Sequence, residues 1–236
     1  METKPESKEL DILYHDEHYI AVNKPSGLLV HRTEFMRNDP AAVQIVRNQI
    51  GKKVFPVHRL DRSTSGVLVF ALSSEAARNL CNLFRTRDIS KQYLAVVRGY
   101  TEEEGLINHA IDKKDGKEPQ EAVSRYQRLE TIELDIPVGP YPTARYSLVK
   151  VKPETGRTHQ IRRHFKHISH PVVGDTTYGE GLQNRLFREH FNIHRLLLMA
   201  VGLSFFHPFK ENNISIQAPV DNELINIFSE FKWEKV

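Results

Sequence analysis

The sequence predicts an α+β fold: one catalytic-sized body with a large, mainly antiparallel mixed sheet, flanking helices and a central cleft. Three observations predict it. Seven short extended runs recur, most of them alternating apolar and polar residues as half-buried strands do. Helical patterns are too few and too irregularly spaced to sit between every pair of strands, which argues against a doubly wound sheet. The 236 residues are 39% hydrophobic, enough for a continuous core, and contain neither a repeat nor a Gly/Ser-rich linker.

The strand runs, in order, are Tyr19 to Lys24, Val67 to Leu72, Lys91 to Gly99, Glu121 to Leu129, Ala144 to Pro153, Val201 to Pro208 and Asn213 to Pro219. Ser73 or Ser74 can cap a helix running to about Arg87, with Ala76, Ala77, Leu80, Leu83 and Phe84 inward. A second helix is expected over Thr158 to Ser169, burying Ile161, Phe165 and Ile168 at i, i+4 and i+7. Asp221 can cap a last one whose inner face is Leu224, Ile225, Ile227, Phe228 and Phe231. The charged stretch Ile111 to Ala122 reads as a surface loop. Residues 1–9 read as a frayed tail, and 10–236 as the catalytic unit.

Composition excludes several classes. The single cysteine, Cys81, cannot close an internal disulfide, and its apolar helical setting predicts a buried thiol in a reducing compartment. No apolar run approaches the roughly 20 residues of a membrane span, and the charged start is unlike a signal peptide, so a cytoplasmic protein is expected. The net charge is only +3, but the basic residues are clustered. Arg157 to His167 holds three arginines, one lysine and three histidines without an acid. A solvated helix face would normally mix signs, so a polyanion partner fits better. The histidines of this stretch lack the i, i+4 pairing that grips zinc, and arginines would repel a cation, so no metal is expected. Phosphate-loop, dinucleotide, serine-elbow and kinase signatures are absent, and no cofactor is implied.

Chemistry concentrates in three segments. In HRLDRSTSG, His58 to Gly66, Asp61 stands between Arg59 and Arg62 ahead of hydroxyl residues suited to a tight turn at a strand end. Neighbouring guanidinium groups would favour its charged form, that of a nucleophile or base; an ordinary Asp–Arg pair fixing a loop is the competing reading. In KQYLAVVRG, Tyr93 shares a strand face with Lys91, Ala95 and Val97. It is either a core tyrosine or a platform on which a nucleobase stacks. In the third segment, Arg162 falls beside the apolar stripe, where core meets solvent, with His159 and Lys166 further round and Arg163 outermost. From there a guanidinium can hold Asp61 bidentately while its neighbours meet phosphates. Gly156 permits a tight entry to the helix. Glycoside hydrolysis would need a second carboxylate that these segments lack. An enzyme that everts a base from folded RNA matches the inventory better.

These segments resemble the RluA-type pseudouridine synthases. HRLDRSTSG resembles their catalytic motif, KQYLAVVRG their tyrosine motif, and TGRTHQIRRH with HPVVGD their arginine motif. DILYHDEHYIAVNKPSGLLVH and HRLLLMAVGLSFFHPF are similar to further family segments in the same order, so the likeness runs from about Leu10 to Phe209. The resemblance implies a pseudouridine synthase domain with an RNA-binding cleft, in which Asp61 is the covalent catalyst, Tyr93 stacks on the target uracil, Arg162 pairs with Asp61 and Arg59 assists extrusion. Arg62, Arg157, His159, Arg163 and Lys166 are expected to bind RNA.

Within the family, GPYPTARYSLV, LQNR (Leu182 to Arg185) and the absence of an S4-type RNA-binding domain resemble members that modify position 65 in the T stem of tRNA. The implied protein is a monomer acting on tRNA. Ribosomal RNA of the large subunit, or RNA binding without catalysis, are the alternatives; hydrolysis of phosphate esters is a more distant one. Met199 departs from the family, where the pattern RLLLHA has histidine, and puts in doubt whatever hydrogen bond that histidine makes. The implied reaction breaks N1–C1′ of uridine and joins C5 to C1′. Attack at C1′, attack at C6 and sugar deprotonation all require an ionised Asp61.

Overall fold

The computed structural model describes residues 9–32, 39–113 and 118–234, so the expected tail lies outside the described residues except at Glu9. Ten strands and five helices occur among the described residues. The chain packs as two compact units, one of Met1–Ile89 with Gly202–Ala218, the other of Ser90–Val201 with Pro219–Val236. The strand pairings within each unit are antiparallel. The α+β expectation holds.

In the first unit, β1 (Ile12–His15) pairs with β2 (Tyr19–Lys24), and β2 pairs along its whole length with β4 (Ser65–Ala71). All seven β4 residues are buried, which is why VLVFA reads as nearly continuous apolar sequence. The short β3 (Phe55–Pro56) pairs with the far end of β4. Helix α1 (Ala42–Ile50) buries Ala42, Ile45 and Val46, and α2 (Ser74–Thr86) buries Ala76 and Leu80. Ser73 caps α2, its hydroxyl accepting the Ala76 N–H. Cys81 is exposed, against expectation. One residue past Leu80, it is turned by about 100° off the narrow buried stripe, although its Sγ lies 3.8 Å from the Val57 carbonyl.

In the second unit the strands run β5 (Ile89–Arg98), β8 (Ala144–Pro153), β7 (Val123–Leu134), β6 (Glu104–Asn108). One face carries Ala95, Val97, Ile107, Tyr126, Val149 and Val151, and α3 (Gln160–His167) lays Ile161 and Phe165 onto it. Burying residues of this size contributes about 1.5–3 kcal/mol each. Helix α4 (Gly181–Phe191) buries the amides Gln183 and Asn184 beside Leu186 and Phe187. Strand β9 (Leu198–Phe206) passes from this unit into the first, where β10 (Asn213–Gln217) pairs with it. Met199, in β9, is fully buried. Helix α5 (Asn222–Glu230) is capped by Asp221, as the sequence suggests, and buries Leu224, Ile227 and Phe228. Ile225, expected inside, is 44% exposed. Among the described residues no helix is long and apolar enough to cross a membrane.

Candidate active site

Asp61 lies in the first unit, half-buried, in the turn that leads into β4, and its carbonyl accepts the Thr64 N–H at 3.1 Å. The turn is tied to the segment just after β2. Lys24, 0% exposed, donates its ammonium to the carbonyls of Pro25, Leu28 and Arg62 at 2.9, 2.8 and 3.1 Å. The Ser26 hydroxyl donates to the Ser63 carbonyl at 2.8 Å, and the Gly27 N–H donates to the Arg62 carbonyl at 2.8 Å. Gly27, at φ +87°, takes a backbone conformation that favours glycine. The residues immediately after Asp61 are thus held by main-chain carbonyls spoken for from outside the turn.

On the other side of Asp61, His58 Nε2 accepts the Val69 N–H at 2.9 Å, which places the ring proton on Nδ1. The imidazole stacks on Phe84 of α2 at 4.9 Å. Arg62 Nε donates to the Gly27 carbonyl at 2.9 Å, and its Nη1 lies 3.4 Å from the Asp39 carboxylate. Arg59 is exposed.

Lys24, Ser26 and Gly27 were not singled out by sequence reasoning. A signal was present: strand alternation puts Lys24 on the same face as Ile20 and Val22, an inward-pointing lysine at a strand end.

The other expected site residues belong to the second unit. Tyr93 lies on β5 opposite Val151, half-buried against the core cluster, on the face that the alternation predicts. Arg162 departs from expectation. It is only 6% exposed and so lies inside the unit instead of at a core–solvent rim. Its Nε and Nη2 donate to the two carboxylate oxygens of Asp175 at 2.7 and 2.8 Å. Oδ1 of Asp175 also accepts the N–H groups of Thr177 and Tyr178, at 2.8 and 2.9 Å. Burial alone would raise the Asp175 carboxyl, but the hydrogen bonds from Arg162, Tyr178 and Thr177 outweigh it and hold the group below the usual carboxylate range. The Arg162 guanidinium carbon lies 5.2 Å from the centre of the Tyr178 ring, a cation–π contact.

The start of α3 is built without a capping side chain. His159 takes the left-handed conformation, φ 55°, and its Nδ1 lies 3.1 Å from the Tyr178 hydroxyl. The strained entry is therefore His159, not Gly156. The buried Gln160 amide uses all four of its hydrogen-bonding positions: its oxygen accepts from the Thr155 hydroxyl and the Arg157 N–H, and its nitrogen donates to Val123 O and Ser124 Oγ. Arg157 Nε donates to the Glu121 carbonyl at 3.0 Å. Arg163 Nη1 donates to the Asp112 carbonyl at 3.0 Å, while Lys166 is exposed.

His164 is fully buried, and burial lowers its pKa. Its Nε2 meets the His109 carbonyl at 3.1 Å. No cluster of metal-ligating side chains occurs among the described residues.

Several known proteins resemble this chain. Residues 18–167 match the family described as RNA pseudouridylate synthase. Similar proteins include tRNA pseudouridine synthase C of Vibrio parahaemolyticus, 47% identical over 96% of this chain and 97% of its own length. The protein of that name from Haemophilus influenzae is 47% identical over 96% of this chain and 100% of its own. The solved structure of human RNA pseudouridylate synthase domain containing 1 superposes with a TM-score of 0.72 at 28% identity, covering 92% of this chain and 86% of that one. Human RNA pseudouridylate synthase domain containing 4 shares the fold, with a TM-score of 0.73 at 24% identity over 95% and 94% of the two chains. With a family match across most of the chain and relatives at nearly half identity, this chain belongs to the RNA pseudouridylate synthase family.

Proposed function

We propose that this protein converts a uridine of tRNA, position 65 in the T stem, to pseudouridine. The observation that carries the tRNA assignment is that relatives named tRNA pseudouridine synthase C align with nearly the whole chain at 46–48% identity. Asp61 is the covalent catalyst, on a turn whose carbonyls are pinned by Lys24 and Ser26. Tyr93 stacks on the everted uracil. Arg162, which commits two of its five N–H groups to Asp175, is the residue that the family resemblance pairs with Asp61. Arg59 assists extrusion, and Arg62, Arg157, His159, Arg163 and Lys166 meet the RNA. The protein works as a cytoplasmic monomer whose residues 10–236 act as one catalytic domain, without metal or cofactor.

The reaction is redox-neutral and isomeric: N1–C1′ breaks, C5–C1′ forms, C5 loses its hydrogen and N1 gains a proton. Release of tritium from uridine labelled at C5 therefore reports it. With labelled transcripts, tRNA carrying U65 should release tritium, and the same tRNA with C65, or fragments of large-subunit ribosomal RNA, should not. Release from the ribosomal fragments in place of tRNA would move the assignment to that substrate. Tight binding with no release from any of them would make the chain a binding module.

A further inference from the structure

A long guanidinium side chain has about 2 kcal/mol of rotamer entropy to lose on being fixed, and Arg162 is fixed from several sides. Asp175 takes one edge of it through two hydrogen bonds and Tyr178 lies against its plane. Asp175 is itself immobilised. Its carboxylate accepts four hydrogen bonds, two from Arg162 and two from backbone N–H groups, which suits it to orienting a cation and not to moving a proton.

The turn that carries Asp175 is clamped in turn by α4. The Asn184 side-chain oxygen accepts the Gly174 N–H at 2.8 Å and its nitrogen donates to the Asp175 carbonyl at 2.9 Å. Glycines let the turn close this tightly: a Cβ at Gly174 would lie 1.8 Å from the Arg195 carbonyl oxygen, and one at Gly179 2.2 Å from that of Asp175. Asn184 and Asp175 are 6% and 2% exposed, so the clamp is shielded from bulk solvent.

We infer that Asp175 and Asn184 are positioning residues for Arg162: Asn184 sets the turn, the turn sets the Asp175 carboxylate, and the carboxylate sets the plane of the guanidinium. The inference rests on the reading of Arg162 as the partner of catalytic Asp61. It also gives a physical task to the LQNR segment, whose Asn184 would otherwise be one more buried amide.

The test combines Asp175→Asn and Asn184→Ala, each alone and together with Arg162→Lys, with tritium release from tRNA, thermal unfolding and the NMR resonance of the Arg162 Nε–H. Misplacing a reacting group by about 1 Å costs on the order of 100-fold. Asp175→Asn should therefore lower kcat about 100-fold and Asn184→Ala about 10-fold, with KM within about 3-fold. Added to Arg162→Lys, either change should cost less than about 3-fold more, because the group it orients is already gone. The Nε–H resonance should shift in both single variants.

Losses that multiply in the double variants, or an unmoved resonance, would overturn the inference. If Asp175→Asn does not fold, Asn184→Ala decides: a folded variant with unchanged kcat refutes the positioning role. A wild-type protein that releases no tritium would count against the functional reading instead, and the resonance would then settle the positioning by itself.

Discussion

Lys24 illustrates how a single side chain can organise a turn, here the one that carries Asp61. Its fully buried ammonium gathers three carbonyls, one of them immediately after Asp61. Lys24→Met would keep the bulk but strand the buried Leu28 carbonyl, at about 1–3 kcal/mol, while the Arg62 carbonyl keeps the Gly27 N–H. Urea unfolding should show a loss of about 1–3 kcal/mol, with tritium release reduced as the turn loosens; an unchanged midpoint would show that the Leu28 carbonyl is otherwise satisfied. Gly174→Ala should be worse. At φ +78° an L-residue is strained by about 1–2 kcal/mol, and the added Cβ would collide with the Arg195 carbonyl. Thermal unfolding should find that variant unfolded or severely weakened.

At this scale the residue types in the motifs were readable, and so was the face on which Tyr93 lies. The partnerships were not. Arg162, Asp175 and Asn184 are brought together by the turn before α4, and Lys24 meets the Arg62 carbonyl across 38 residues. Nothing in a local pattern encodes such a meeting.

The helices differ in how openly they announce themselves. Those with a side-chain cap, α2 and α5, were found with their caps; α1 and α4, whose N-cap positions are Ala41 and Glu180 with no capping bond, were missed. Likewise β6 reads EGLIN, a short run whose Glu, Gly and Asn all disfavour strands. Helix α3 was found, but its surroundings were misjudged. A two-sided wheel places Arg162 at a rim, whereas the helix buries Gln160, Ile161, Arg162, His164 and Phe165, most of its circumference.

The caps make a graded prediction. Ser73→Ala removes one hydrogen bond to Ala76 and should cost about 1 kcal/mol. Asp221→Ala removes the cap bond to Leu224 and also the ion pair with Arg195 at 2.8 Å, so it should cost more. Chemical unfolding checks the order, and a larger loss from Ser73→Ala would contradict it.

For the whole molecule, stability should depend on pH in two stages. Burial lowers the His164 pKa from its ordinary 6.5, so the unfolded chain takes the proton first. Its contribution is complete above about 6.5 and is lost as pH falls through the lower folded value. Asp175 and Asp16 are also held below their ordinary 3.8. At Asp16, burial opposes the shift, and hydrogen bonds from Tyr14, Lys210 and the His18 and Tyr19 N–H groups outweigh it. Their stabilisation is complete above 3.8 and is lost as pH falls through still lower values. Melting temperature should be level near neutrality, decline below about 6.5 and fall more steeply below about 4; His164→Gln should remove the first decline.

The cluster of basic residues makes a separate whole-molecule claim. Affinity for tRNA should fall linearly in log–log terms as salt rises, because backbone contacts release counterions. A flat response would contradict RNA binding through Arg157, Arg163 and Lys166.

The account as a whole turns on the carboxylate of Asp61. Asp61→Asn preserves the size of the side chain and removes its charge, so tRNA should bind within a few-fold of wild type in a filter-retention assay while tritium release in a single turnover falls to background. Release at an appreciable fraction of the wild-type rate would contradict the central claim, whatever the other residues do.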